Sequence, residues 1–156
     1  MVVWRPEQTL LEAEMKFWLD GSGESVKVEA EAAMSKSIKI KWLNEPEEQD
    51  YPAALSYLSL IYSEKVARSY VKELKGTAIS KFKAKDIFRA SGLSLLGISN
   101  THVEKDRQKV KSGKELSPLL LVRDTANGKV VIADGYHRLC AVYTLDEDAV
   151  IPCKAV

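Results

Sequence analysis

Apolar positions in this chain recur at two spacings, one helical and one alternating, and the switches between them outline the elements. From Pro6 to Leu19, Leu10, Leu11, Met15, Trp18 and Leu19 fall at helical intervals, with Pro6 tolerated in a first turn. Gly21-Ser22-Gly23 breaks that pattern. Val26 to Ala33 is ambiguous: its valines alternate as in a strand, whereas the following Glu-Ala run favours helix. Ser37 to Trp42 puts Ile38, Ile40 and Trp42 on one face and predicts a strand. Asn44 to Pro52 is polar, acidic and proline-bearing, so it reads as a loop and as the best internal boundary. Ala53 to Leu74 carries Ala54, Leu55, Leu58, Ile61, Tyr62, Val66, Tyr70, Val71 and Leu74 as one stripe. It predicts a single helix ending at Gly76, its stripe covering a sheet or a second copy of the chain.

In the second half, Phe82 to Phe88 predicts a short strand and Ala90-Ser91-Gly92 a turn. Thr101-His102-Val103-Glu104 has the form of a capping box and predicts a helix start, with Gly113 closing that helix. Ser117 to Arg123 contains four successive apolar residues, Leu119 to Val122, and predicts a buried strand. Asn127-Gly128 is a hairpin signal that pairs it with Lys129 to Ala133. A helix over Leu139 to Leu145 and a last strand from Val150 complete the pattern.

Composition narrows the class without naming a ligand. The 156 residues are 46% hydrophobic and 29% charged, as in globular domains, and the net charge of +1 gives no global pull toward nucleic acid. Two local basic runs, around Lys81 and around Lys109, read as solvated faces or as a DNA-facing patch. Two cysteines, Cys140 and Cys153, with no CxxC motif, argue against structural zinc. No segment resembles a secretory leader or reaches the length of a membrane span. The expectation is a cytoplasmic, reduced protein with no membrane partner.

The chemistry concentrates in Asp134-Gly135-Tyr136-His137-Arg138, between a predicted strand and a predicted helix. A strand-to-helix corner exposes backbone N–H groups to an anion. Gly135 allows a sharp turn and close approach. Arg138 offers a planar fork for phosphate, or else a salt bridge at the helix start. His137 can donate, accept or carry charge near neutral pH. Asp134 can hold a metal, accept a proton or cap the helix.

This run, the stretch from Lys111 to Arg123 with its glycine and Pro118, and the closing Val150 to Val156 together resemble the ParB/sulfiredoxin superfamily over residues 80 to 156. The resemblance implies an α+β fold, a small mixed sheet with helices, preceded by an extension over residues 1 to 79 that packs on it. It implies a nucleotide (ATP, ADP or CTP) with Mg2+, its phosphates lying between Gly113, Ser117 and Pro118 on one wall and Gly135, Tyr136, His137 and Arg138 on the other. The local motif is most similar to that of free-serine kinases, which transfer phosphate to serine. Asp134, Gly135, His137 and Arg138 match, and Tyr136 departs. Sulfiredoxins carry cysteine where this chain has Tyr136, and Cys140 reads as a small core residue. ParB clamp proteins have a different basic run after the glycine, and their DNA-reading motif would follow Val156. A kinase of this kind needs an acid to activate the hydroxyl. Asp86 is the first candidate, with Glu104 and Asp106 behind it. The expected catalytic set is therefore Asp134, His137 and Asp86, with Asp134 also the candidate metal ligand. Replacing Arg138 is expected to abolish phosphate binding and leave the fold intact. The expectation is thus a nucleotide- or phosphate-binding domain with phosphotransferase or NTPase chemistry. The alternative is a non-catalytic interaction or DNA-associated module, and a nuclease-like member is less favoured because no carboxylates cluster near the motif.

Overall fold

Four consecutive apolar residues in the middle of a strand require both faces of a sheet to be covered, and the fold meets that requirement. The computed structural model describes residues 38–156; the predicted helix at Pro6–Leu19 and the ambiguous Val26–Ala33 lie outside the described residues. The elements run β1 (Lys41–Trp42), α1 (Asp50–Ile61), α2 (Glu64–Gly76), β2 (Ser80–Lys83), α3 (Ala84–Ser91), α4 (Thr101–Lys111), β3 (Glu115–Leu116), β4 (Leu119–Asp124), β5 (Lys129–Asp134), α5 (Tyr136–Leu145) and β6 (Val150–Ala155). The architecture is α+β. The main sheet has the order β2-β6-β4-β5, with β4 parallel to β6 and the outer pairs antiparallel. β1 and β3 form a separate two-stranded parallel pair.

Alternation along the central strand sorts its side chains. Leu119 and Leu121 point into a core shared with Ala84 and Ile87 of α3, Val110 of α4, and Leu139 and Val142 of α5. Leu120 and Val122 point the other way, into a core shared with Tyr51, Ala54 and Leu58 of α1 and Ala67 and Leu74 of α2. The sheet is thus the middle of three layers.

The second core is built by the part of the expected extension that is described: α1 and α2 pack over a face of the sheet, and residues 38–156 form one compact unit. Lys154 of β6 strengthens the junction. Its almost fully buried ammonium donates to the Lys75 carbonyl at the end of α2, 3.1 Å away, and lies 2.8 Å from Glu45. A cation at a helix C-terminus satisfies carbonyls that have no helical partner.

Local differences from the sequence reading have specific causes. The stripe from Ala53 to Leu74 belongs to two helices, because Tyr62 is extended and the Ser63 hydroxyl accepts from the Val66 N–H to start α2. The polar loop ends earlier than Pro52, since α1 begins at Asp50, and among the described residues of the strand predicted at Ser37–Trp42 only Lys41 and Trp42 are strand. Of the strand predicted at Phe82–Phe88, only Phe82 and Lys83 are strand. β2 stops at Lys83, and Ala84, Ile87 and Ser91 then bury one face of α3 at helical spacing. The cap of α4 is Asn100 rather than Thr101: its Oδ1 accepts from the N–H groups of His102 (3.0 Å) and Val103 (3.3 Å). Gly113 does close α4, with a positive φ of 74° and the Lys114 N–H donating to the Lys109 carbonyl. Among the described residues, no helix is long and apolar enough to cross a membrane.

If both helical layers belong to one core, Leu58→Ala on α1 lowers stability by roughly 2–5 kcal/mol. Urea unfolding then remains a single transition by both tryptophan fluorescence and circular dichroism. Two separated transitions would show that α1 and α2 fold apart from the sheet.

Candidate functional site

The corner that ends β5 and starts α5 is built around the conformation of Gly135. Its φ is 103°, which L side chains rarely adopt, and a Cβ there would lie 2.8 Å from Leu119 Cγ and 3.1 Å from Arg138 Nη2. The glycine therefore lets α5 start directly against the central strand. The first intrahelical bond at this end runs from the Leu139 N–H to the Gly135 carbonyl, 2.9 Å. No side chain caps this end. Among the described residues, the N–H groups of Tyr136, His137 and Arg138 meet no acceptor.

Beneath this corner lies a polar cluster. Arg138 Nη2 donates to Asp134 Oδ2 at 2.9 Å and to the Pro118 carbonyl at 3.4 Å, and it lies 3.8 Å from Asp50 Oδ2. Asp50 is buried at the start of α1. Its Oδ2 accepts from the Ser117 hydroxyl and from the Glu47 N–H, 3.2 Å away. The guanidinium thus serves two carboxylates, and its Nε is buried without a partner. Burial, opposed by Arg138 and reinforced by Asp50, holds the Asp134 carboxyl above the usual carboxylate range.

The open side of the corner faces α4. A cleft of about 210 Å³ receives His102, Lys105, Asp106 and Lys109 from α4 and the run Asp134 to Arg138 from the corner. The imidazoles of His102 and His137 lie with ring centroids 4.9 Å apart. Lys109 Nζ is 3.4 Å from Asp106 Oδ1, and Asp106 is buried. The His137 imidazole is held below its ordinary value, first by burial, then by His102 and Arg138, with Asp106 opposing. The Tyr136 hydroxyl donates to the Ser94 carbonyl and fixes one rim.

The predicted site residues divide accordingly. Asp134, Gly135, Tyr136, His137 and Arg138 are together at the cleft. Ser117 and Pro118 are buried behind it and act by holding Asp50 and Arg138, not as an exposed wall. Gly113 lies apart from the cleft, near Lys41. Asp86 is not brought to it either. Because this part of the predicted strand is the helix α3, Asp86 faces Arg89 at 3.7 Å and borders an apolar pocket with Phe82, Ile87, Leu121 and Val130. The acid that does reach the cleft is Asp106. Glu104, the other runner-up, engages Arg107 and Gln108 along α4. Cys140 is fully buried against Val103 and Ala141, and burial raises its thiol above the ordinary range. Sequence reading missed Asp50, which sat inside a segment taken for loop. It also missed His102 and Lys105. Both share a face with Lys109 on α4, at spacings of three and four residues, and that periodicity was the available signal.

A resident divalent ion does not fit these residues. Asp134 Oδ2 is engaged by Arg138, Asp106 by Lys109, and among the described residues no group of three or more His, Cys, Asp or Glu side chains could hold a metal. Lys81 and Lys109, the centres of the two basic runs, line different clefts. No family model, curated protein or solved structure matches the chain.

Two outcomes follow from this geometry. Arg138→Ala leaves Asp50 and Asp134 without their shared cation and costs roughly 3–5 kcal/mol of stability, measured by urea denaturation. A change below about 1 kcal/mol would mean that the guanidinium is not the tie it resembles. The second concerns His137. The unfolded chain binds a proton near pH 6.5, whereas the folded imidazole resists it to lower pH. The His137 contribution to stability is therefore present above about pH 6.5 and is lost as pH falls toward the folded value. An NMR titration should place the His137 midpoint below 6.5 in the free protein, and a midpoint above 7 would contradict the desolvated environment.

Proposed function

We propose that the protein binds the phosphate group of a nucleotide in the cleft between α4 and the N-terminus of α5. The observation that carries this reading is the set of three N–H groups without acceptors, at Tyr136, His137 and Arg138, opening beside Lys105, Lys109 and two imidazoles. A helix N-terminus carries roughly half a positive charge, and an anion there completes the backbone hydrogen bonds that folding leaves open. The ammonium groups of Lys105 and Lys109 supply mobile charge, while Arg138 holds the corner in shape. The ParB/sulfiredoxin-like motif supports the same assignment, since that resemblance also puts phosphate at this run.

The reading extends to phosphoryl transfer. Such a reaction asks a protein chiefly for positioning and charge neutralisation. The Asp106 carboxylate is the group in the cleft able to take a proton from an attacking hydroxyl. Any Mg2+ arrives with the nucleotide. Serine is the first acceptor to assay, on the strength of the motif.

Calorimetric titration with ADP, ATP, CTP and GTP, each with and without Mg2+, tests the binding step. Lys105→Ala combined with Lys109→Ala weakens binding by about tenfold or more, equivalent to about 1.4 kcal/mol, in protein that circular dichroism shows is still folded. Absence of heat with every nucleotide, or affinity unchanged in the double variant, would move the ligand elsewhere.

A further inference from the structure

The charges around the cleft are nearly self-cancelling, and that restricts what the site accepts. Lys105, Lys109 and Arg138 are matched by Asp106, Asp134 and Asp50. Tyr136 adds no charge to this balance, and its hydroxyl is engaged by Ser94. A doubly charged anion entering there gains little net attraction unless further positive charge appears. The groups able to supply it near neutral pH are His102, from α4, and His137, from α5, whose rings lie 4.9 Å apart in the same cleft. Two adjacent imidazoles repel each other once protonated, and an anion between them removes that penalty. The pair leaves no room for a base between its own rings, since a base held between two rings needs about 7 Å, twice the contact distance between stacked carbon atoms.

Resting on the phosphate-site reading above, we infer that His102 and His137 make this cleft selective for a dianionic phosphomonoester, bound together with proton uptake, over the singly charged phosphodiester of a nucleic-acid backbone. A phosphomonoester carries close to two charges at neutral pH, with a second pKa of about 6. A diester carries one and lacks the terminal oxygens that would occupy the N–H groups of α5 and both imidazoles together. The desolvated His137 of the free protein sets the direction: it is neutral before the ligand arrives and gains a proton when the dianion does.

AMP and 3′,5′-cyclic AMP form a matched pair of probes, since base and sugar are the same and only the phosphate differs. Calorimetry at about pH 7.5 in two buffers of different ionisation enthalpy reports the protons exchanged. AMP should bind with uptake of on the order of one proton, its affinity rising about tenfold per pH unit per proton between about pH 8.5 and 7. Cyclic AMP should bind at least about tenfold more weakly, equivalent to about 1.4 kcal/mol. His102→Gln, at an exposed position, and His137→Gln should each reduce the proton count and flatten the pH profile, an effect that mere loss of stability would not produce. Equal affinity for the two probes, or AMP binding that is flat with pH and free of proton exchange, would overturn the inference and leave the phosphate site standing. No binding of AMP at any pH, with none of ADP or ATP, would remove both.

Discussion

Arg138 Nη2 reaches Asp134, the Pro118 carbonyl and the neighbourhood of Asp50 at once, and three structural layers meet through it. Asp134 ends β5, Pro118 leads into the central strand β4, and Asp50 begins α1. A buried guanidinium tolerates desolvation only if its partners are fixed, and these partners are fixed by backbone: Asp50 by the Glu47 N–H and the Ser117 hydroxyl, Asp134 by the sheet. The position of α5 follows. Its first turn cannot rotate or slide without breaking the contacts of Arg138, so the three N–H groups ahead of it keep their direction toward the cleft.

The constraint explains a division of labour within one pentapeptide. Asp134, Gly135 and Arg138 shape the corner, and Tyr136 anchors a rim through Ser94. His137 alone among the five side chains faces the cleft as a titratable group not consumed by a structural partner. The mobile cations come from another element, α4, whose Asn100 cap orients its first turn alongside that of α5. An arginine that reads as a ligand contact is instead engaged by Asp134, Asp50 and the Pro118 carbonyl and braces the corner.

Much of this fold was legible in the chain. The four-residue apolar run of β4 announced a strand covered on both faces, Asn127-Gly128 gave the hairpin, and the glycine of the DGYHR run marked the corner. What could not be read were choices made by tertiary contacts. The stripe through Ala53–Leu74 is continuous in period, yet a serine cap divides it. Ala84 to Ser91 has apolar residues compatible with either period, and burial against β5 and α5 selects the helix, taking Asp86 away from the site. Asp50 looks like any acidic loop residue until the guanidinium 88 positions later is placed beside it. Paired burial of this kind leaves no periodic trace in sequence, whereas the run of His102, Lys105 and Lys109 on one helical face did.

The proposed activity requires an anion on the first turn of α5. Amide chemical shifts of the ¹⁵N-labelled protein, followed as ADP is added, test this residue by residue. The prediction is saturable movement of the Tyr136, His137 and Arg138 amides, accompanied by resonances of His102 and Lys105 across the cleft. Saturable shifts confined to another surface, such as the groove bordered by Arg68, Lys72 and Lys75, would contradict it.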